Sequence, residues 1–488
     1  MNKVKYLTAP IFYANSTPHI GHLYTGLVCD LWKQINLVMG EDFFLSSGMD
    51  EHGQKVFQVA VNNGLNPKVH VDNISESFKK FFEKYNVRYD YWVRTTDEQH
   101  KKATQIFWNK LKENGYVYKH RYKGWYSISD ESYLDVSEDY VSTSKNIVWR
   151  EEECYYFKLS SFQEKLVEYY EKHPETIYPK IRYNEAMGFI KQGLKDFSIS
   201  RPKERLSWGI EVPDDPDQVM YVWIDALANY LTLIGYPDQK YLNYWPATHV
   251  VGKDILKFHA IYWPALLMAA DLLPPKKVVV HGWWLNGDQK VSKSLNNAID
   301  IDGLTEVYGS DAIRYFLLSN MTLGEDANFK ESLFHSTINA ALSNKYGNIL
   351  LRLLGIAENK NIKELKHCEL DEFLNNVVNN TKNEANNFVK NISFFDQYIR
   401  SFSAAFDSLN NYISENTIWK QEGEQLNNSL YSLLYCFKVL SVLFSPILPE
   451  CAKKIAKYFD VDLNFKDVSV HKNIIIKEPI VLFPRVME

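Results

Sequence analysis

The feature that most restricts what this chain can fold into is the change of hydrophobic period across its N-terminal stretch. Val4 to Thr8 is a short apolar run that reads as a buried strand. A loop with Pro10 and Pro18 follows, and then Leu23, Leu27, Leu31 and Ile35 recur at i, i+4 spacing up to Gly40, a suitable residue to stop a helix. Phe43 to Leu45 reads as the next strand. A strand, helix, strand unit opens a parallel doubly wound sheet, whose ligands sit in loops beyond the carboxyl ends of the strands.

From about Lys119 to Pro213 the pattern shifts to aromatic alternation, as at Trp125, Tyr126 and Tyr155 to Leu159, broken by charged turns. Strand signals then return at Tyr221 to Ile224, Thr248 to Val251 and Val278 to Val280, with a helix carrying Ile255, Phe258, His259 and Tyr262 between the last two. This predicts an α/β fold in which one Rossmann-type domain, residues 1–118 and 214–330, is split by an insertion at 119–213. After Glu331 the spacing is helical almost throughout, as in Ile349, Leu350, Leu353 and Leu354, and it predicts a helix bundle over 331–460. Residues 461–488, with Ile474 to Ile476 and Ile480 to Phe483, read as an extended segment that packs back.

With 488 residues, several domains are expected. A net charge of -5 argues against a protein that grips nucleic acid through one dominant basic surface, though a local basic face is compatible with it. Cys29, Cys154, Cys368, Cys436 and Cys451 form no C-x-x-C pair, so no disulfide framework or zinc knuckle is spelled. Structure begins at Val4, which predicts no leader peptide, and no apolar run reaches the ~18 residues of a membrane span. A cytoplasmic location is expected.

Two motifs carry chemistry. Pro18-His19-Ile20-Gly21-His22 falls between the first strand and first helix, where helix-start N–H groups suit an anionic phosphate and Gly21 leaves room for a nucleotide. Lys290-Val291-Ser292-Lys293-Ser294 follows the loop Asn286-Gly287-Asp288 and supplies two point charges to a polyphosphate. Taken singly, two histidines beside a loop are more often incidental, and a lysine-rich loop is more often a solvated surface.

In this order and context the two resemble the "HIGH" and "KMSKS" signatures of class I aminoacyl-tRNA synthetases, with valine at the second KMSKS position. Ala9 to Asn15, Gly48-Met49-Asp50-Glu51-His52-Gly53, Tyr221 to Ala226 and Gly252 to His259 resemble, more narrowly, the methionyl-tRNA synthetase family over nearly the whole chain. That resemblance implies that His19, His22, Lys290 and Lys293 are catalytic, and that Gly21, Gly252 and Asp254 join them in holding ATP with Mg2+. It implies a methionine pocket of Ile11, Tyr13, Asp50, Val222, Trp223, Ala226, Leu227, Tyr230, Ile255 and His259, and an anticodon-binding bundle in which Asn348, Arg352 and Trp419 read tRNA-Met. On chemistry alone, Asp50 suits an α-ammonium or a turn cap, and Tyr13, Trp223 and Phe258 suit a thioether or a plain core. Tyr230 and His259 are candidates to hydrogen-bond near the sulfur, or a satisfied core pair. Asn348 and Arg352 share a helix face, where polar residues are usually just solvated.

The insertion, a connective module by this resemblance, has Ser127 and Asp130 where relatives place zinc thiolates, so no structural zinc is expected. It is smaller than an editing domain, which would leave specificity to the synthetic pocket. A monomer is expected. The rival readings are another class I synthetase for an apolar or sulfur-containing amino acid, and a catalytically silent tRNA- or nucleotide-binding paralogue.

Overall fold

The computed structural model describes residues 4–127, 132–134, 136, 146–287, 289–290 and 299–483. They form two compact units, one of Met1–Pro18, Phe44–Phe81 and Tyr89–Val280, the other of His19–Phe43, Phe82–Arg88 and His281–Glu488. The first helix and the residues after Val280 therefore cluster with the helical region, a division that the alternation of strands and helices along the sequence does not announce.

The first unit is built on a six-stranded sheet in the order Tyr91–Arg94 (β3), Phe43–Asp50 (β2), Lys5–Tyr13 (β1), Thr248–Gly252, Lys277–His281 and Ile177–Tyr178. β1 pairs in parallel with Thr248–Gly252 through Leu7↔Thr248 and Thr8↔His249, and β2 with β3. Strand order reverses between β1 and Thr248–Gly252, which makes the ends of these two strands the switch point where α/β sheets bind ligands. Gly48 is required by the pairing: a Cβ there would lie 2.0 Å from the Val93 carbonyl oxygen.

A four-stranded antiparallel sheet follows, dominated by the long hairpin of Val117–Ser127 with Ile147–Phe157. The aromatic alternation seen in the sequence is the pleat of this hairpin, as in the edge-to-face Trp125 and Trp149 pair at 5.5 Å. The segment is also part of the main core. Leu166, Tyr170 and Ile190 share one buried cluster with Leu231, Trp263 and Val280, and Ile177–Tyr178 supplies the sixth strand of the parallel sheet.

Tyr221 to Ile224 is not a strand. The preceding strand ends at Met220, and Val222–Thr232 is a helix buried at every position but Trp223. A fully buried helix shows no polar face, so its first turn has the same apolar signature as a strand. The helix expected around Ile255 to Tyr262 is present as one unbroken helical run that changes pitch, from a 3-10 turn Lys253–Ile255 through a π-turn Phe258–Tyr262 to an α-helix Trp263–Ala269.

In the second unit the helix Ile20–Val38 (α1) ends just before Gly40, whose φ of +84° suits a residue without Cβ. Its Asp30 pairs at 2.7 Å with Arg314, both completely buried, and Arg314 also donates to the carbonyls of Tyr85, Pro446 and Ile447. The helices Asn348–Asn359, Glu372–Lys390, Phe395–Glu415, Gly423–Leu443 and Pro449–Phe459 enclose an aromatic core of Tyr346, Phe402, Phe406, Phe437 and Phe444. Ile474–Ile475 pairs antiparallel with Glu364–Leu365, and Leu482 and Phe483 are buried. All five cysteines are free thiols. Among the described residues no helix is long and apolar enough to cross a membrane.

Candidate active site

In the first unit the candidate site residues gather around the switch point. Phe12 packs inward on Phe78 and Trp92, so Ile11 and Tyr13, one residue to either side, face the opposite way along β1. Asp50 closes β2 and accepts at its carbonyl from Ala14 N–H at 2.9 Å. The neighbouring backbone is held too, because Glu51 N–H donates to Thr95 Oγ1 and the Trp208 indole donates to the Glu51 carbonyl at 2.6 Å. The Glu51 side chain is fully buried between Arg94 and Thr96, and burial pushes its pKa up against those partners. This network places Asp50 at a fixed point of the sheet.

The other wall comes from the helix Val222–Thr232. Val222, Trp223, Ala226, Leu227 and Tyr230 recur on one face of it. The Trp223 ring stacks on Phe258 at 3.6 Å and 4°, and stands at 89° to His259. His259 Nδ1 lies 3.0 Å from the Ile255 carbonyl, which can only accept, so Nδ1 carries the proton. Nε2, 2.7 Å from the Tyr230 hydroxyl, must then accept from it. Burial lowers the His259 pKa to about 4, which keeps the ring neutral. Tyr230 and His259 thus bond each other, and their protons are committed within the wall rather than offered towards a sulfur. His249, which sequence reasoning missed, lies behind them: fully buried, 4.4 Å from the Tyr230 ring, 2.7 Å from Thr8 Oγ1, and held neutral by burial. Its only sequence signal is a polar residue inside an apolar strand. Gly252 ends the strand Thr248–Gly252, and Asp254 stands exposed in the turn after it.

In the second unit His19 and His22 form a capping box at the start of α1. His19 Nδ1 accepts from Gly21 N–H at 3.1 Å, and His22 Nδ1 accepts from His19 N–H at 3.2 Å. Backbone N–H can only donate, so both imidazoles are held as the tautomer with the proton on Nε2. Their rings stack at 3.8 Å. The result is two parallel N–H donors beside a helix N-terminus, a pairing suited to phosphate oxygens. Gly21 has a second role beyond the nucleotide clearance read from the sequence: a Cβ there would lie 3.0 Å from His19 Cε1. Thr25 on α1 bonds His281 at 2.8 Å. Lys290 lies opposite Leu285 in the short strand Gln289–Lys290, and Lys293 lies outside the described residues, as does Asp130 of the insertion.

Arg352 lies on the helix Asn348–Asn359, donates to Asn410 at 2.8 Å and holds its guanidinium 6.0 Å from the centre of the Trp419 ring. Trp419 is 44% exposed, and Asn348 is exposed one turn before Arg352. An open indole with a cation beside it is a platform on which a base can stack. Among the described residues no group of three or more His, Cys, Asp or Glu side chains is arranged to hold a metal ion.

A parallel sheet with a histidine capping box after its first strand defines the fold and motif of a class I aminoacyl-tRNA synthetase, and the family described as tRNA synthetases class I (M) matches residues 5–144 and 135–354. The chain is 38% identical to the methionine–tRNA ligase of Rickettsia felis over 99% of both chains. It is 38% identical to that of Caldanaerobacter subterraneus, covering all of this chain and 79% of the relative. Mycobacterium tuberculosis methionyl-tRNA synthetase in complex with methionyl-adenylate superposes with a TM-score of 0.91 at 32% identity, over 99% of this chain and 100% of the other. The chain belongs to the methionine–tRNA ligase family within that class.

Proposed function

We propose that this chain activates methionine with ATP and transfers it to the 3′ end of tRNA-Met. The observation that carries the reading is the Trp223, Phe258, Tyr230 and His259 wall. Its polar protons are satisfied internally, so a polar substrate side chain gains no donor there, whereas a thioether gains aromatic contact with its polarisable sulfur. Ile11, Tyr13, Val222, Ala226, Leu227 and Ile255 complete the pocket, and Asp50 takes the α-ammonium.

In the first step a methionine carboxylate oxygen attacks the α-phosphorus of ATP in line, and the bond to pyrophosphate breaks. In the second the terminal ribose hydroxyl of tRNA attacks the methionyl carbonyl, and AMP leaves with the bonding electrons. No side chain becomes covalently attached. His19 and His22 donate Nε2–H to the phosphates, Lys290 and Lys293 stabilise the charge that develops on them, and Gly252 and Asp254 receive the ribose. Mg2+ enters with ATP as its counterion. Trp419 stacks an anticodon base while Asn348 and Arg352 bond base edges. We also assign residues 119–213 as the connective insertion, 331–460 as the anticodon-binding bundle and 461–488 as its returning tail, and expect a cytoplasmic monomer.

Pyrophosphate exchange measured with each of the twenty amino acids tests the assignment. Exchange with methionine alone is expected; exchange with a different amino acid, or with none, overturns it. Lys293→Ala should slow adenylate formation on the order of 100-fold with little change in methionine affinity, and an unchanged kcat would remove that lysine from the mechanism.

A further inference from the structure

The pocket helix and the Asp50 loop are joined by a buried cluster that the two-step reaction does not use. Asp225, 1% exposed, has both carboxylate oxygens taken: Oδ2 lies 2.6 Å from His52 Nδ1, and Oδ1 lies 2.6 Å from His100 Nε2. A carboxylate only accepts, so both facing nitrogens carry protons. His100 Nδ1 lies 2.7 Å from the Thr232 hydroxyl, which also donates to the Asn229 carbonyl at 3.3 Å. Thr232 and Asp225 lie seven residues apart on the helix Val222–Thr232, so His100 holds that helix at two points, on the face turned away from Trp223, Leu227 and Tyr230. The remaining contacts are Thr104 Oγ1 at 3.3 Å from His100 and the Trp208 ring at 5.6 Å from His52. Burial works to raise the Asp225 pKa, but the two imidazoles outweigh it and hold the carboxyl at about 2, so it is the anion that they clamp.

His52 stands two residues after Asp50, and the backbone between them is tied on both sides by Ala14, Thr95 and Trp208. Apolar packing alone would hold the helix near this loop without fixing its register. Two short, directional, charge-assisted bonds fix it to a few tenths of an ångström. We infer that His52, Asp225 and His100 are positioning residues that set the spacing between the Asp50 carboxylate and the side-chain pocket on Val222–Thr232, and so set which amino-acid length the enzyme accepts. The inference rests on the methionine-pocket reading above.

His100→Leu keeps the approximate volume and removes both bonds, and His100→Gln places an amide donor where Nε2 stood. For the full chain in pyrophosphate exchange, His100→Leu should raise KM for methionine roughly 10-fold or more, the loss expected of a hydrogen bond to a charged group. KM for ATP should stay put, kcat should fall less than about 3-fold, and discrimination against norleucine should narrow. His100→Gln should recover most of the loss. An unchanged KM for methionine and unchanged discrimination, or equal losses in both substrates' KM together with a fallen Tm in both variants, overturns the inference. Should His100→Leu fail to fold, Thr232→Val removes the second bond without stranding the carboxylate, and the same split at smaller amplitude is expected; its absence is equally fatal. Asp50→Asn separates the two readings, because a normal KM for methionine there sinks the pocket assignment itself, whereas a raised KM beside silent His100 variants sinks only the clamp.

Discussion

At the scale of single residues, the HIGH motif is legible as a string, but its physical content depends on backbone geometry. Nothing in the letters says that His19 and His22 cap each other through Nδ1 and so present Nε2–H, because that follows from the extended φ and ψ of His19 at the helix start. Gly21→Ala tests it. The added methyl would lie 3.0 Å from the His19 ring, which must give by a few tenths of an ångström and so strains the bond from Gly21 N–H. Adenylate formation should slow on the order of 10-fold, the loss of one oriented donor, while methionine binding by calorimetry and the melting temperature stay near wild type. Asp50→Ala should leave a substrate ammonium unpaired and cost about 2 kcal/mol in methionine affinity, with ATP affinity unchanged; calorimetry with each ligand decides. The sequence marks Tyr230 and His259 as candidate hydrogen-bonding groups, yet it does not show their mutual bond, which joins two elements through a tautomer set by a third residue, Ile255.

At the scale of elements, the bundle offers the clearest contrast between sequence and structure. A lone tryptophan is usually packed, and truncating a packed one costs about 3 to 5 kcal/mol. Trp419 is 44% exposed beside Arg352, so Trp419→Ala should leave the melting temperature nearly unchanged. It should weaken tRNA charging by about 1 to 3 kcal/mol through lost stacking, with pyrophosphate exchange intact. Charging at the wild-type rate would return Trp419 to an ordinary surface residue. Arg314 behaves oppositely. Arg314→Met removes the charge partner of the buried Asp30 of α1, which keeps Gln34 and the Arg88 N–H, together with the donor to three carbonyls, and should cost about 3 to 5 kcal/mol in denaturant unfolding; adding Asp30→Leu should recover part of that. The helix Val222–Thr232 was misread at its first turn because burial on all sides erases the period by which a helix is recognised.

At the scale of the whole molecule, two buried charges set opposite ends of the pH dependence of stability. Asp225 titrates lower in the folded chain, about 2, than its ordinary 3.8, so the unfolded chain binds more protons between those values. Its contribution is full above about 4 and is lost as pH falls towards 2. Lys438, buried beside Tyr435, is pushed down by burial from 10.5 to about 8. Its ammonium therefore costs stability below about 8, and the cost is relieved as pH rises towards 10.5. Lys438→Met should raise the melting temperature at neutral pH and flatten the alkaline rise, and an unchanged slope between pH 8 and 10 would remove this lysine from the account. By itself the sequence determined the class of fold, four of the six strands of the main sheet and the helical C-terminal region, because local periodicity and short motifs are written in adjacent letters. Only the tertiary structure decided that α1 clusters with the helical region, that Ile177–Tyr178 completes the sheet, and that His52, Asp225 and His100 meet. Those contacts join residues dozens to more than a hundred positions apart, and nothing in the letters near each one records its distant partner.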